Sequence, residues 1–234
     1  FETLRASKGK IFRLEHHIDR LLRSLPEIFI DLPMTRFELM NVIQDTLERN
    51  NHKEAVIRLT VTRGDTQSNI QIDSNIPPNL IVNIRAFIPL STTAYKKGIK
   101  IMLFQERASS INGLKRRLKS CNYLSNILIK KLSDEKGFME GVVVDPDFGV
   151  TEGTTSNIFI VKKGFLKTPP LSPFVLEGIT REVVIEIAKE HKIPILEELI
   201  NLEDLLNADE VFITNTGIEI VPVTQIDTQP IGNK

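Results

Sequence analysis

A single cysteine, Cys121, stands among 234 residues. One thiol cannot close an internal disulfide and is too few for a structural zinc site, which suits a reducing compartment and a cytoplasmic protein. Charge of either sign is not in excess, because 30 Lys and Arg balance 30 Asp and Glu. The electrostatic footprint expected for nucleic acid or an anionic membrane is therefore missing. No stretch has the apolar length that spans a bilayer, no charged-then-apolar leader opens the chain, and no repeat or low-complexity tract interrupts it. These absences leave an enzyme acting on a small metabolite as the open class.

Hydrophobic residues make up 41% of the chain, enough for buried cores, and the length suits two compact domains. FETLRAS reads as a strand with no preceding methionine, so the chain is expected to begin inside a fold; QPIGNK ends as abruptly after a strand-like run. Residues 1–7 and 11–14 flank Lys8-Gly9-Lys10, which predicts a hairpin. Ile18, Leu21, Leu22 and Leu25 fall at helical spacing before Pro26, and residues 35–50 form a second amphipathic pattern. Residues 55–62 and 79–88 are rich in β-branched side chains and predict strands. Proline and small polar residues then break the pattern. The expected division is a small α/β domain over 1–88, a linker over 89–94 and a larger domain over 95–234. In the latter, strands are predicted at 99–104, 139–145, 157–162 and 210–214, and helices near 123–134, 179–191 and 202–206.

Lys119 in LKRRLKS is, by itself, one cation in a basic cluster, for which a solvated face is the ordinary reading. Glu152 in VTEGT is by itself a surface glutamate at a turn. The ordered run KSCNYLSN, VTEGTTSNIFIV, LEGITREVV and FITNTGIEIVPV changes both readings, joined by FETLR and HHIDRL near the start. This run resembles the class IV aminotransferase family of fold-type IV pyridoxal-phosphate enzymes, over nearly the whole chain. The resemblance implies an α/β (α+β) fold of two domains, the larger with a barrel-like sheet, and a homodimer. It implies pyridoxal 5'-phosphate as cofactor and a small-molecule substrate, with no nucleic acid, membrane or metal involved.

By the same resemblance Lys119 is the Schiff-base lysine and proton shuttle. An amine must be neutral to attack a carbonyl, and Arg116 and Arg117 are expected to help lower its pKa. Glu152 matches the carboxylate facing the pyridine nitrogen, which keeps the ring an electron sink. Arg20, the helix start at Ile179 and Thr180, and Thr216 match the phosphate contacts. Tyr123 matches a partner of the ring hydroxyl. The plainer alternatives are a surface arginine paired with Glu15, Asp19 or another acid, a helix cap, a turn threonine and a core tyrosine. His16 and His17 point apart on a helix and are assigned no chemistry, and Cys121 is expected to be a small buried filler.

Substrate-facing residues separate the branches. Thr62-Arg63-Gly64 is followed by Asp65-Thr66-Gln67-Ser68, not by the carboxylate trap of D-amino-acid aminotransferases. Lys119-Ser120-Cys121-Asn122-Tyr123 is shorter than the branched-chain pattern. The chain looks most similar to the branch of 4-amino-4-deoxychorismate lyase, which would make 4-aminobenzoate and pyruvate for folate biosynthesis. By that resemblance Thr3 is the second catalytic candidate, as proton donor, and strand alternation places it on one face with Phe1 and Arg5; its plainer reading is an ordinary strand threonine. The alternative activity is transamination between an amino acid, branched-chain or D-, and a 2-keto acid.

Overall fold

Alternation makes the first strand, β1 (Glu2–Ser7), one-sided: Glu2, Leu4 and Ala6 are buried, whereas Thr3 and Arg5 are half-buried on the other face. The structure is a computed structural model that describes residues 1–65, 72, 75–107 and 117–232. A tight turn with positive φ at Lys8 and Gly9 leads to β2 (Lys10–Ile11). The strand expected over 11–14 is cut short there. Arg13 adopts a left-handed conformation at φ 51° and turns the chain into α1 (Leu14–Ser24), so Leu14 is helical. Helix α2 (Arg36–Asn50) starts at a capping box, in which Thr35 Oγ1 accepts from the Glu38 amide at 3.2 Å and Glu38 accepts from the Thr35 amide at 2.7 Å. Strands β3 (Ala55–Thr62) and β4 (Asn79–Ala86) complete an antiparallel sheet of order β2-β1-β3-β4. Ile18 and Leu21 of α1 and Leu39, Ile43 and Leu47 of α2 pack with Leu4, Ile57 and Leu59 in one core.

This is the first of two units, Phe1–Ile88 with Lys119–Cys121; the second is Pro89–Leu118 with Asn122–Lys234. The second opens with α3 (Thr92–Lys97), whose start Ser91 caps by accepting from the Ala94 amide at 3.3 Å, so residues 92–94 are helical. There follow β5 (Ile99–Gln105), α4 (Leu124–Glu135), β6 (Glu140–Asp145), β7 (Gly149–Gly153), β8 (Asn157–Lys162) and β9 (Phe165–Thr168). Then come α5 (Ile179–Glu190), β10 (Ile195–Glu197), α6 (Leu202–Leu206), β11 (Glu210–Asn215), β12 (Glu219–Ile226) and β13 (Gln229–Pro230). The sheet runs β10-β9-β8-β11-β12-β5-β6-β7, with β13 beside β12. Its two ends meet: the Val150 amide on β7 donates to Ile200 O, just past β10, at 2.8 Å. The sheet is thus curled and barrel-like, as the resemblance implied. Ile101, Val142, Ile158, Ile160, Ile213 and Val221 are among the side chains of its core, while Phe159 of β8 packs with Val184, Ile185 and Ala188 of α5. Among the described residues no helix is long and apolar enough to cross a membrane.

Candidate active site

Glu152 is the next-to-last residue of β7, a strand buried on both faces from Val150 onward, and its side chain is 11% exposed. Each carboxylate oxygen has a donor from a different segment. Arg117 Nε lies 2.8 Å from Oε1, and the Leu176 amide donates to Oε2 at 2.7 Å. Asn157 Nδ2 adds a long contact of 3.4 Å to Oε2 and donates to Leu176 O at 3.0 Å. A carboxylate fixed from two sides is held in one orientation, as a partner for a ring nitrogen must be. It lines a pocket with Arg117, Asn126, Thr154 and Phe174.

The turn that carries Glu152 is organised by Glu140, a buried acid that the sequence reading passed over. Glu140 accepts from the Gly141 amide at 3.0 Å, from the Thr154 amide at 3.2 Å, and from the hydroxyls of Thr154, Thr155 and Ser156, the last two at 3.2 and 3.0 Å. Glu140 and Asp145 bracket the apolar run of β6 and both are buried, and a buried carboxylate needs donors around it. Gly153 is required beside it, since a Cβ there would sit 2.3 Å from Ser156 Oγ and 3.1 Å from Glu140.

The same segment leads into α5. Its N-cap, Gly178, makes no side-chain cap hydrogen bond, and the first residues, Ile179 and Thr180, are buried and half-buried. Asn157 comes so close that a Cβ on Gly178 would lie 2.0 Å from its Oδ1. Gly178→Ala is therefore expected to displace Asn157, lower stability by about 1–3 kcal/mol and weaken cofactor retention, as urea unfolding and equilibrium dialysis would measure. An unchanged midpoint and affinity would remove Asn157 from the argument. Asn157 is paired in register with Thr214 on β11, whose Oγ1 is buried with no hydrogen-bond partner among the described residues. Two residues on, Thr216 is half-buried in a turn where Asn215 Oδ1 accepts from the Gly217 and Ile218 amides at 2.8 and 2.9 Å. Tyr123 is half-buried at the N-cap of α4.

Lys119, Thr3 and Arg20 belong to the first unit. Lys119 is half-buried, with Nζ 4.8 Å from the centroid of the Phe1 ring. Arg20 is not the surface arginine that spacing alone suggested: it is buried, and its Nε and Nη2 donate to the two oxygens of Glu2 at 2.8 and 2.6 Å. Asp19 and Glu15, the acids expected beside it, pair with Arg36 instead. His17, which had been given no role, lies under this pair with Nδ1 2.8 Å from Glu2, while its Nε2 is buried with no partner. Burial pushes the His17 imidazole below its ordinary value, against the pull of Glu2.

Two other expectations change. Arg117, expected to act on the Lys119 amine, is engaged by the Glu152 carboxylate. Cys121 is exposed, not a buried filler. Arg116 and residues 66–68 lie outside the described residues.

These residues fit pyridoxal phosphate. An oriented carboxylate, a glycine-capped helix start and an unpartnered buried threonine hydroxyl offer matching groups for a ring nitrogen and a phosphate. A Methanocaldococcus jannaschii protein named "Putative branched-chain-amino-acid aminotransferase" is 42% identical over 234 residues, 100% of this chain and 80% of that protein. A Bacillus licheniformis D-alanine aminotransferase is 34% identical, with the same two shares covered. Among solved structures, the Escherichia coli branched-chain amino acid aminotransferase superposes with a TM-score of 0.93 at 30% identity, covering 99% of this chain and 78% of that one. A Legionella pneumophila structure, titled as a 4-amino-4-deoxychorismate lyase with the same qualifier, shares the fold at a TM-score of 0.90 and 22% identity, over 98% of this chain and 83% of that one. The family model described as Amino-transferase class IV matches residues 1–226, and the chain belongs to that family, whose enzymes use pyridoxal 5'-phosphate.

Proposed function

We propose that the chain is an aminotransferase that moves an amino group between an amino acid and a 2-oxo acid, with Lys119 as the cofactor-bearing residue. The observation that carries this reading is whole-chain likeness, at 42% and 34% identity, to proteins named as aminotransferases. It favours transfer over the elimination that the motif spacing suggested. When bound, pyridoxal phosphate supplies an aldehyde carbon that takes the amino group and a ring that accepts electrons from the substrate carbon. The chain's own residues do the rest. The Lys119 amine holds the cofactor and, once released, moves a proton at the substrate carbon. Glu152 holds a proton at the ring nitrogen, and Tyr123 meets the ring hydroxyl. Arg20, the amides of Ile179 and Thr180, and the Thr216 hydroxyl take the phosphate.

Elimination from 4-amino-4-deoxychorismate stays as the second reading for one reason, the short Lys119-Ser120-Cys121-Asn122-Tyr123 spacing together with Thr3 half-buried on β1. Likeness at 22% identity speaks for the fold alone. Purified protein supplied with an amino donor and a 2-oxo acid should form the new amino acid and should release no 4-aminobenzoate from aminodeoxychorismate. Release of 4-aminobenzoate without any keto acid, and no transfer, would reverse the choice.

A homodimer is part of the proposal. Leu124, Ile127, Leu128 and Leu132 form an exposed apolar stripe along α4, between 47% and 67% exposed, at the i, i+3, i+4 spacing of a helix face seeking a partner. Sedimentation is expected to give twice the 26.5 kDa chain mass, and Leu128→Glu should shift it toward one. A monomeric parent would remove this part. A cytoplasmic location agrees with the single thiol.

A further inference from the structure

Arg117 has no part in the reading above, yet its guanidinium reaches the carboxylate on which that reading depends. We infer that Arg117 is a positioning residue for Glu152, fixing the carboxylate oxygen opposite the one held by Leu176 and so setting how Glu152 meets the cofactor's ring nitrogen. The inference rests on the reading of Glu152 as the carboxylate for that nitrogen.

The geometry is specific. The Arg117 amide donates to Ser172 O at 3.3 Å, which ties its backbone to the segment leading toward Leu176. Its Nε then meets Glu152 Oε1 at 2.8 Å while the Leu176 amide meets Oε2 at 2.7 Å. Both donors therefore come from one backbone-linked patch, and both act on a side chain that otherwise has several rotamers. The pair is largely withdrawn from water, with side chains 25% and 11% exposed, so it is screened less than a surface pair. A guanidinium presents a planar donor edge, which a lysine does not reproduce even though it keeps the charge. A permanent positive charge on the far side of the carboxylate also weakens the carboxylate's hold on a proton shared with the ring. Arg117 thus acts on both the direction and the basicity of Glu152.

The experiment is a double-mutant cycle on the full chain, read by equilibrium dialysis of pyridoxal phosphate and by the pH midpoint of the bound cofactor's visible absorbance. Arg117→Leu is expected to weaken cofactor binding about tenfold, within the range found when a group that orients a ligand-binding residue is removed. It should also raise the absorbance midpoint by about half a pH unit, because a positive charge near the ring has gone. In a Glu152→Ala background, Arg117→Leu should change neither quantity further. Arg117→Lys serves as the second variant, keeping the charge without the planar edge; it should leave the midpoint near the parent's while affinity falls, whether or not the leucine variant folds. Equal losses from Arg117→Leu in both backgrounds would overturn the inference, since Arg117 would then act by itself. No effect of either Arg117 variant beside a clear effect of Glu152→Ala would overturn it too, while leaving the Glu152 reading intact. If Glu152→Ala changes neither affinity nor midpoint, the underlying reading fails and the inference with it.

Discussion

Lys119→Ala is expected to lower turnover by on the order of 10²–10⁴-fold, the contribution typical of a group that moves a proton in the transition state. The reason is that one amine is asked to do two things, to hold the cofactor covalently and to act on the substrate carbon. A chemical readout separates this from general damage. Borohydride reduction of the parent should leave the reduced cofactor on the peptide that contains Lys119, identified by its mass, and the alanine variant should carry no adduct. An adduct on another lysine, or an undiminished rate in the variant, would displace Lys119 from the centre of the proposal. The variant should fold normally, because Lys119 is half-buried and stands in neither a helix nor a strand.

Glu2→Ala is expected to destabilise the chain by about 3–5 kcal/mol, the scale on which a buried ion pair loses one partner and leaves the other uncompensated. Arg20 would be that uncompensated charge, since both its Nε and Nη2 donate to Glu2 inside the first unit. The dependence on pH has a definite sign. Burial pushes the Glu2 carboxyl up, but Arg20 and the His17 hydrogen bond overcome it and hold it at about 2, below its ordinary 4.5. A depressed carboxyl stabilises fully above pH 4.5 and loses that stabilisation as pH falls toward 2. His17 adds to the acid sensitivity earlier: its imidazole is depressed below 6.5, so acid favours the unfolded chain once the pH drops under that value. Urea unfolding at pH 7, 4 and 2.5 should show a gap between parent and Glu2→Ala that is constant near neutrality and narrows at the lowest pH. Equal midpoints at pH 7 would mean that Arg20 finds another acceptor at little cost.

Legibility in the sequence tracked how local the physics was. Helix α2 is announced by Thr35 and Glu38, which satisfy each other's backbone donors within one turn, and the hairpin before α1 is announced by Gly9. The strand expected at 11–14 failed because Arg13 takes a left-handed conformation that no side-chain pattern marks. Strands β7, β9, β10 and β13 were not foreseen, whereas β12 is the strand-like run read before QPIGNK. β7 and β9 are short, and the three residues of β10 become a strand only by pairing with β9. A pattern of two or three alternations carries too little signal without its partner.

The candidate site divides in the same way. Lys119, Glu152, the helix start at Gly178 and Thr216 were singled out by the resemblance that their strings carry, and their roles belong to the proposal. The residues that hold them were not readable. Glu140 beneath the 153–156 turn, Asn157 against Gly178, and Glu2 with His17 around Arg20 are contacts between segments far apart in sequence. Each is decided by which polar groups are buried together, since a buried carboxylate or guanidinium must find its partner wherever the fold places one. By itself, the sequence therefore determined the family and the cofactor, and named the candidates for the site. Only the tertiary structure decided that Arg117 reaches Glu152 instead of standing as a bare cation near Lys119, because charge pairing acts across space and leaves no trace in spacing along the chain.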